Sequence, residues 1–267
     1  MKPNTTKSLT SDFGLPERAE QTVVKSVIRL DSIGSTSSHL ASLLRDGACV
    51  GSAVIAREQT EGRGQLGRAW HSPKDLSLYI SFSWRGSTAD GLPATVSYAI
   101  AQALRAACRV SANVRWPNDV VIDGKKVAGI LVESLGVPDV WIVGCGININ
   151  NTSFPPDIAA IATSVLLESG DYTDIAEIED AVIRCLDASL NRLERDGFAG
   201  MLHMWRQFDT TPGSLIRVRD DQRERLVQAV GVDDQGRLVA RDGSHYAIII
   251  GASAIEWVRT GLEPFVE

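Results

Sequence analysis

Hydrophobic and polar positions alternate with different periods along this chain, and each period marks a different kind of element. Residues 22–30 alternate weakly and are rich in β-branched side chains, which predicts a first strand. Leu40, Leu43 and Leu44 follow at helical spacing after a polar stretch, with Gly47 as the stop, so a helix capped by Ser35, Thr36 or Ser37 is expected. Residues 53–57 and 76–84 are apolar, strand-like runs on either side of a glycine-rich loop. Between residues 92 and 109, Val96, Ile100, Ala103, Leu104 and Ala107 recur on one face of a core helix. The runs 120–122 and 126–132 flank Asp123-Gly124, a hairpin signal. Residues 141–149 read as a buried strand broken by Gly144 and Gly146, where another group can approach the backbone closely. Asp174-x-x-Glu177 then opens a long helix with Ile178, Val182, Leu186, Leu190 and Leu193 on one face; it stops near Gly197, and a shorter helix follows to Phe208.

Beyond Pro212-Gly213 the pattern changes to short strands at 214–219, 225–232, 237–241 and 246–250, with turns at Asp234-Gln235-Gly236 and Asp242-Gly243. The expected organisation is a polar, loosely ordered arm over residues 1–21, a main domain over 22–211, and a small β-barrel over 212–267. A chain of 267 residues with 44% hydrophobic content can bury a substantial core. Its formal net charge of −6 argues against a general nucleic-acid or anionic-membrane surface. No apolar run reaches the ~18 residues of a membrane span, and nothing resembles a signal peptide's core, so a cytoplasmic protein is expected. Cys49, Cys108, Cys145 and Cys185 contain no C-x-x-C and are expected to be reduced and mostly buried; the histidines show no metal-ligand spacing.

Residues 62–70 read Gly-Arg-Gly-Gln-Leu-Gly-Arg-Ala-Trp. Glycines let backbone N–H groups approach an anion with no Cβ in the way, and Arg63 and Arg68 offer planar forks matched to phosphate or carboxylate oxygens. A solvated hairpin loop is the plainer reading of the same residues. Gly62, Gly64 and Gly67 also fit G-x-G-x-x-G, but a dinucleotide fold needs a helix directly after the glycines, and here His71-Ser72-Pro73 and a strand follow. A protein-kinase loop has the right strand context, yet the chain has no His-Arg-Asp. The second informative stretch is Arg115-Trp116-Pro117-Asn118-Asp119, followed by Lys125 and Lys126 at the start of an apolar strand. A lysine entering such a strand needs an acidic or phosphate partner, or it snorkels out at the strand end; both readings stay open for Lys126, and snorkelling suits Lys125 better.

In their order and intervals, residues 62–70, 115–119, 125–132 and 144–148 together resemble the biotin protein ligase family. No single motif is specific, but the set is, and it covers roughly residues 22–210, with the C-terminal unit similar to the small SH3-like domain of those enzymes. The resemblance implies an α/β (α+β) catalytic domain of the class II synthetase-like type, a mixed sheet with helices on one side. It implies a ligase that uses ATP and Mg²⁺ to activate biotin as biotinyl-5′-AMP, and then transfers biotin to a lysine of a biotin carboxyl carrier domain. The family's pattern puts catalytic cations at Lys126, Arg63 and Arg68. It puts biotin contacts at Ser35, Thr36, Ser37, Gln59, Gly62, Arg63, Lys126 and Gly129. Nucleotide contacts fall at Arg63, Gly64, Gln65, Arg68, Trp70, Asn118, Asp119, Lys126 and Asn148, with Asn118 and Asn148 also suited to a hard Mg²⁺ ion.

Two positions depart from that pattern: Gln65 stands where well-known members carry arginine, and Arg115 where many carry lysine. No DNA-binding domain is legible in residues 1–21, which implies a monofunctional ligase, monomeric or homodimeric, with neither nucleic acid nor membrane as a partner. A lipoate or octanoyl ligase or transferase of the same fold is one alternative, although no Arg-Arg-x-x-Gly-Gly-Gly-like segment is present. A non-catalytic biotin-binding module is another; it would lose Lys126 or the glycine loop, and both are present.

Overall fold

The strand-like runs fold into one seven-stranded sheet in a computed structural model that describes residues 14–17, 21–87, 89–219, 224–242, 245–250 and 255–257. Its strands are β1 (Ser26–Leu30), β2 (Ser52–Ala56), β3 (Ser77–Arg85), β4 (Asn113–Arg115), β5 (Asp119–Ile122), β6 (Lys125–Ser134) and β7 (Val140–Asn148), ordered β1-β2-β3-β7-β6-β5-β4. β1 and β2 run parallel and all other neighbours antiparallel, so the sheet is mixed as expected. A parallel pair needs a crossover, and α1 (Thr36–Arg45) supplies it.

Alternation along the central strands separates two faces. On β3, Leu78, Ile80, Phe82 and Trp84 join the main core, while Ser77, Tyr79, Ser81 and Ser83 point to the opposite face. The first face is covered by α2 (Leu92–Cys108) and α4 (Ile175–Arg206), which also pack on each other; a fully buried Leu or Phe there stabilises by ~1.5–3 kcal/mol. α1 lies on the opposite face over β2, β3 and β7, where Leu40 meets Val54 and Ile142. The expectation of helices on one side only is therefore corrected, because those two apolar residues need cover of their own. A short helix, α3 (Val165–Ser169), was not legible in the periodicity.

α4 starts at Asp174, whose carboxylate accepts the Ala176 N–H at 2.9 Å, and the expected division into a long and a shorter helix is met at Gly197, where φ is 66° and the helical run kinks. Its buried Asp187 accepts from the N–H groups of Val23 and Val24 at 2.8 and 3.2 Å, tying the chain that enters β1 to the helical layer. Most of the expected arm lies outside the described residues; of its described part, Leu15 packs against the core. Cys145 and Cys185 are buried as expected, and burial pushes the Cys185 thiol up to about 12, whereas Cys49 is exposed. Among the described residues no helix is long and apolar enough to cross a membrane.

The C-terminal strands β8 (Leu215–Arg219), β9 (Glu224–Val232), β10 (Leu238–Asp242), β11 (His245–Ile250) and β12 (Ile255–Trp257) form an antiparallel sheet in the order β11-β10-β9-β8-β12. Among the described residues this sheet is small and open, so the closed barrel expected from the sequence is met as a five-stranded sheet. It joins the main sheet through the β9–β10 turn, whose Gly236 carbonyl accepts the Trp116 indole N–H at 2.7 Å.

Asp209 sits where the chain leaves α4. Its Oδ1 accepts the Thr211 N–H at 2.8 Å, while its Oδ2 is buried without a hydrogen-bond partner. Burial pushes this carboxyl up from 3.8 to about 6, against the opposing hydrogen bonds from Thr211. A raised acid favours folding fully below pH 3.8 and loses that contribution as pH rises through about 6. Asp209→Asn should therefore gain stability over wild type between pH 4 and pH 7, by an amount on the order of 2–3 kcal/mol. Urea unfolding of both proteins across that range measures the difference, and a pH-independent difference would contradict the assignment.

Candidate active site

Where the second face of the sheet is not covered by α1, a cavity of about 270 Å³ opens over β6 and β7. Three glycines form its floor, and their missing side chains make the room. A Cβ on Gly146 would lie 2.3 Å from Trp70 Nε1, one on Gly144 2.6 Å from Ser37 Oγ, and one on Gly129 2.7 Å from Lys126 Cε. The Trp70 indole thus rests on the bare backbone of β6 and β7, with its N–H buried and unpartnered.

One end of the cavity is neutral and dense in hydroxyls. Gln59 Oε1 accepts from both the N–H and the Oγ1 of Thr36, at 2.9 and 3.0 Å. Thr36 Oγ1 and Ser37 Oγ each hydrogen-bond to Ser81 Oγ, at 2.7 and 2.9 Å. Gln59 Nε2 donates to Ser72 Oγ at 3.2 Å, and Ser72 donates on to Trp70 O at 3.1 Å. Hydroxyls rotate to donate or accept, so this end can match a ligand presenting both a carbonyl and N–H groups. Ser35 caps α1 as expected, accepting the Ser38 N–H at 3.5 Å, while also lining the cavity.

The other end is cationic. Lys126 Nζ lies 2.5 Å from Asp119 Oδ1 and 5.3 Å from the centre of the Trp70 ring. Asp119 Oδ2 in turn accepts from Arg115 at 2.9 Å. A register shift brings Lys126 here: Val120 pairs with Ala128 and Val121 with Lys126, so Val127 is an extra residue carried as a bulge. Strict alternation from Gly129 would have placed Lys125 on the cavity face instead. The bulged backbone is held by the next segment, with Lys126 N–H donating to Ile161 O at 2.7 Å and Thr163 N–H to Lys126 O at 2.9 Å. Asn118 and Asn148 are buried nearby, with their side-chain N–H groups donating to Ile130 O and Thr163 O at 2.6 and 3.0 Å. That leaves their amide oxygens as the groups available to the cavity.

The glycine loop closes on itself over this site. Gly64 N–H donates to Arg68 O at 2.7 Å and Trp70 N–H to Gly62 O at 2.8 Å, so part of its backbone donor capacity is used internally. Arg63 forks onto both Glu133 oxygens at 3.2 Å and onto Ser38 Oγ at 3.2 Å, bridging the cavity mouth. Arg68 is exposed and makes no ion pair among the described residues, and Gln65 opens a single helical turn at the loop tip.

Of the biotin, nucleotide and metal contacts implied by the resemblance, all but Gly62 line this one cavity. Gly62 is buried at the loop base, where a Cβ would meet Ser72 Oγ at 2.6 Å and Trp70 O at 2.7 Å, so its missing side chain lets the loop close. Sequence reasoning missed Ser81, His71, Phe154 and Glu133. Serines at three of four alternate positions of an apolar strand, Ser77, Ser81 and Ser83, were a readable signal for Ser81. His71 and Phe154 meet edge-to-face, 6.5 Å between ring centres, only because two distant loops converge.

Residues 30–150 match the biotin/lipoate A/B protein ligase family. The chain is 32% identical over 236 residues to the biotin--[acetyl-CoA-carboxylase] ligase of Paracoccus denitrificans, covering 84% of this chain and 96% of that protein. It is 31% identical over 221 residues to the bifunctional ligase/repressor BirA of Escherichia coli (strain K12), covering 80% of this chain and 68% of that one. Among solved structures it is similar to the biotin protein ligase from Aquifex aeolicus in complex with biotin and ATP, with a TM-score of 0.79 and 26% identity over 88% of this chain and 100% of that chain.

Gly146→Ala should force the Trp70 indole off the floor and destabilise the protein by about 1–3 kcal/mol, as overpacking does. The same substitution in a Trp70→Ala background should cost less than half as much, since the clashing partner is gone. Urea titrations of the four proteins complete the cycle, and equal costs in both backgrounds would show that the glycine is needed for another reason.

Proposed function

We infer that this chain, which belongs to the biotin/lipoate A/B protein ligase family, activates biotin with ATP and transfers it to a lysine of a biotin carboxyl carrier domain. The observation that carries the reading is the division of one cavity into a neutral hydroxyl-rich end and a cationic end, bridged by a bare glycine floor. Biotin's ureido ring, a carbonyl flanked by N–H groups, suits the Ser37, Ser81, Thr36 and Gln59 chain of hydrogen bonds. Its carboxylate then points along the cavity toward the cationic end and Lys126.

The chemistry follows from the weakness of a carboxylate as an acyl donor. A biotin carboxylate oxygen attacks the α-phosphorus of ATP, the bond to the β-phosphate oxygen breaks, and pyrophosphate leaves. The carrier lysine's free amine next attacks the acyl carbon, AMP departs with the bonding pair, and the amide nitrogen sheds its proton. Both steps gather negative charge on phosphate oxygens, where Lys126, Arg63 and Arg68 act as preorganised donors. Arg63 reaches them by exchanging its Glu133 contact for the nucleotide, and the unpartnered Trp70 N–H gains an acceptor. Asn118 and Asn148 would hold Mg²⁺ through their amide oxygens, a donor set that suits a hard cation completing its shell with phosphate oxygens and water. When bound, that ion neutralises triphosphate charge.

In this reading residues 22–211 form the catalytic domain and residues 212–267 the small SH3-like domain. The hydrogen bond from Trp116 to Gly236 supports a role for the latter in holding the loop that carries Asn118 and Asp119. The need for ATP and a carboxylase carrier supports a cytoplasmic location. The direct test is incubation of the pure protein with ATP, Mg²⁺, biotin and a carboxylase carrier fragment. A single biotinyl addition to the carrier is expected, with none from lipoate or octanoate; the reverse preference would reassign the substrate.

Lys126→Ala should slow biotin-dependent pyrophosphate exchange by ~10²-fold or more, whereas Lys125→Ala stays near wild type. Equal activities in the two variants would remove Lys126 from the mechanism. Gln65→Arg adds a charged fork to the loop tip and should slow release of the biotinyl-adenylate, by up to about tenfold for ~1.4 kcal/mol of added binding. Rapid filtration of the pre-formed intermediate reads this out, and an unchanged release rate would show that the rest of the loop already retains it.

A further inference from the structure

We propose that Arg115 is a positioning residue for Lys126 that acts through Asp119, a role that rests on the adenylation reading above. Arg115 does not line the cavity, whereas Asp119 and Lys126 do. Asp119 offers one oxygen to Lys126 Nζ at 2.5 Å and the other to Arg115 at 2.9 Å. Asp119 thus divides its charge between two cations, and among the described residues the ammonium keeps a surplus of positive charge. That surplus is what an incoming phosphate needs.

The arrangement is built into the ladder. Arg115 on β4 and Asp119 on β5 are direct cross-strand partners, so the carboxylate's orientation is set by sheet register. Arg115 also donates to Gly124 O in the β5–β6 turn, at 3.4 Å, which holds the guanidinium at both ends. All three side chains are largely screened from solvent, with relative exposures of 26% for Arg115, 14% for Asp119 and 28% for Lys126. The other charged or titratable residues lining the cavity are Arg63 and Arg68 of the glycine loop, His71 directly after it, and Cys145 on β7, and Arg63 is paired with Glu133. From the following segment the lining residues are the apolar Ile158, Ile161 and Ala162. Among the described residues Asp119 is therefore the carboxylate that sets Lys126, and Arg115 sets Asp119. A lysine at 115 would keep the charge but replace a fork holding two oxygens with a single ammonium.

The test uses the full chain. Arg115→Met removes the charge while keeping the length, and should lower kcat of biotin-dependent pyrophosphate exchange about tenfold with KM for biotin within about twofold. Arg115→Lys should recover part of the loss. In an Asp119→Asn background Arg115→Met should cost under about twofold, because the route through the carboxylate is already cut. A full additive loss in that background, or a loss confined to KM for ATP, would overturn the proposal by making Arg115 act directly on the nucleotide. The crystal structure of unliganded Arg115→Met gives a readout independent of turnover: Asp119 should rotate and Lys126 Nζ should shift with it. Unchanged positions would refute the positioning role. A wild-type protein that supports no exchange at all would refute the adenylation reading instead, leaving the crystal structure to decide on Arg115.

Discussion

Strands buried on both faces are ordinarily filled with apolar side chains on each side. β6 and β7 are filled on the helical side by Ala128, Ile130, Val143, Cys145 and Ile147, but carry Gly129, Gly144 and Gly146 on the other. That one-sided absence of side chains is the constraint on which the site depends. It gives Trp70 a surface to lie on, lets Ser37 approach β7, and leaves space beside Lys126. The main core loses nothing by it, because the face packed by α2 and α4 keeps its full apolar complement.

Around that floor, polar groups are sorted by charge. The neutral end is closed by α1, whose first turn contributes both its cap and its hydroxyls, so the same residues start a helix and face the cavity. The cationic end is balanced by carboxylates that are themselves tied down, Asp119 by Arg115 and Glu133 by Arg63. Partly buried cations without such partners would be costly to fold around, and cations fully neutralised by them would have little left for a phosphate. Sharing one carboxylate between two cations meets both demands.

The loop carrying Asn118 and Asp119 is held from three directions. Trp116 N–H donates to Thr211 Oγ1 at 3.0 Å, its indole to Gly236 O, and Asn118 both accepts from and donates to Ile130. Gly236 leaves no room for a side chain, since a Cβ there would lie 2.8 Å from Gly91 Cα at the start of α2. The C-terminal sheet, the first turn of α2 and the site loop therefore meet at one tightly packed junction. Docking of the small sheet and the geometry of the cationic end are parts of the same packing problem.

What the sequence determined by itself was local: strand and helix periods, the Asp123-Gly124 hairpin, the helix start at Asp174 and the break at Gly197. The glycine- and arginine-rich loop and the lysine entering an apolar strand were conspicuous by themselves, and the resemblance of four stretches to a known family implied the other residues that converge. Tertiary structure decided their phase and their pairing. Strict alternation from Gly129 puts Lys125 on the cavity face, and only the bulge at Val127, fixed by the β5 ladder and by the chain at Ile161 and Thr163, brings Lys126 there instead. The pairing of Arg63 with Glu133, the meeting of His71 with Phe154, and, among the described residues, the pairing of β8 with β12 likewise join residues far apart in the chain. Such features depend on which partner each strand or loop finds across the fold, whereas a periodicity is a property of consecutive residues alone.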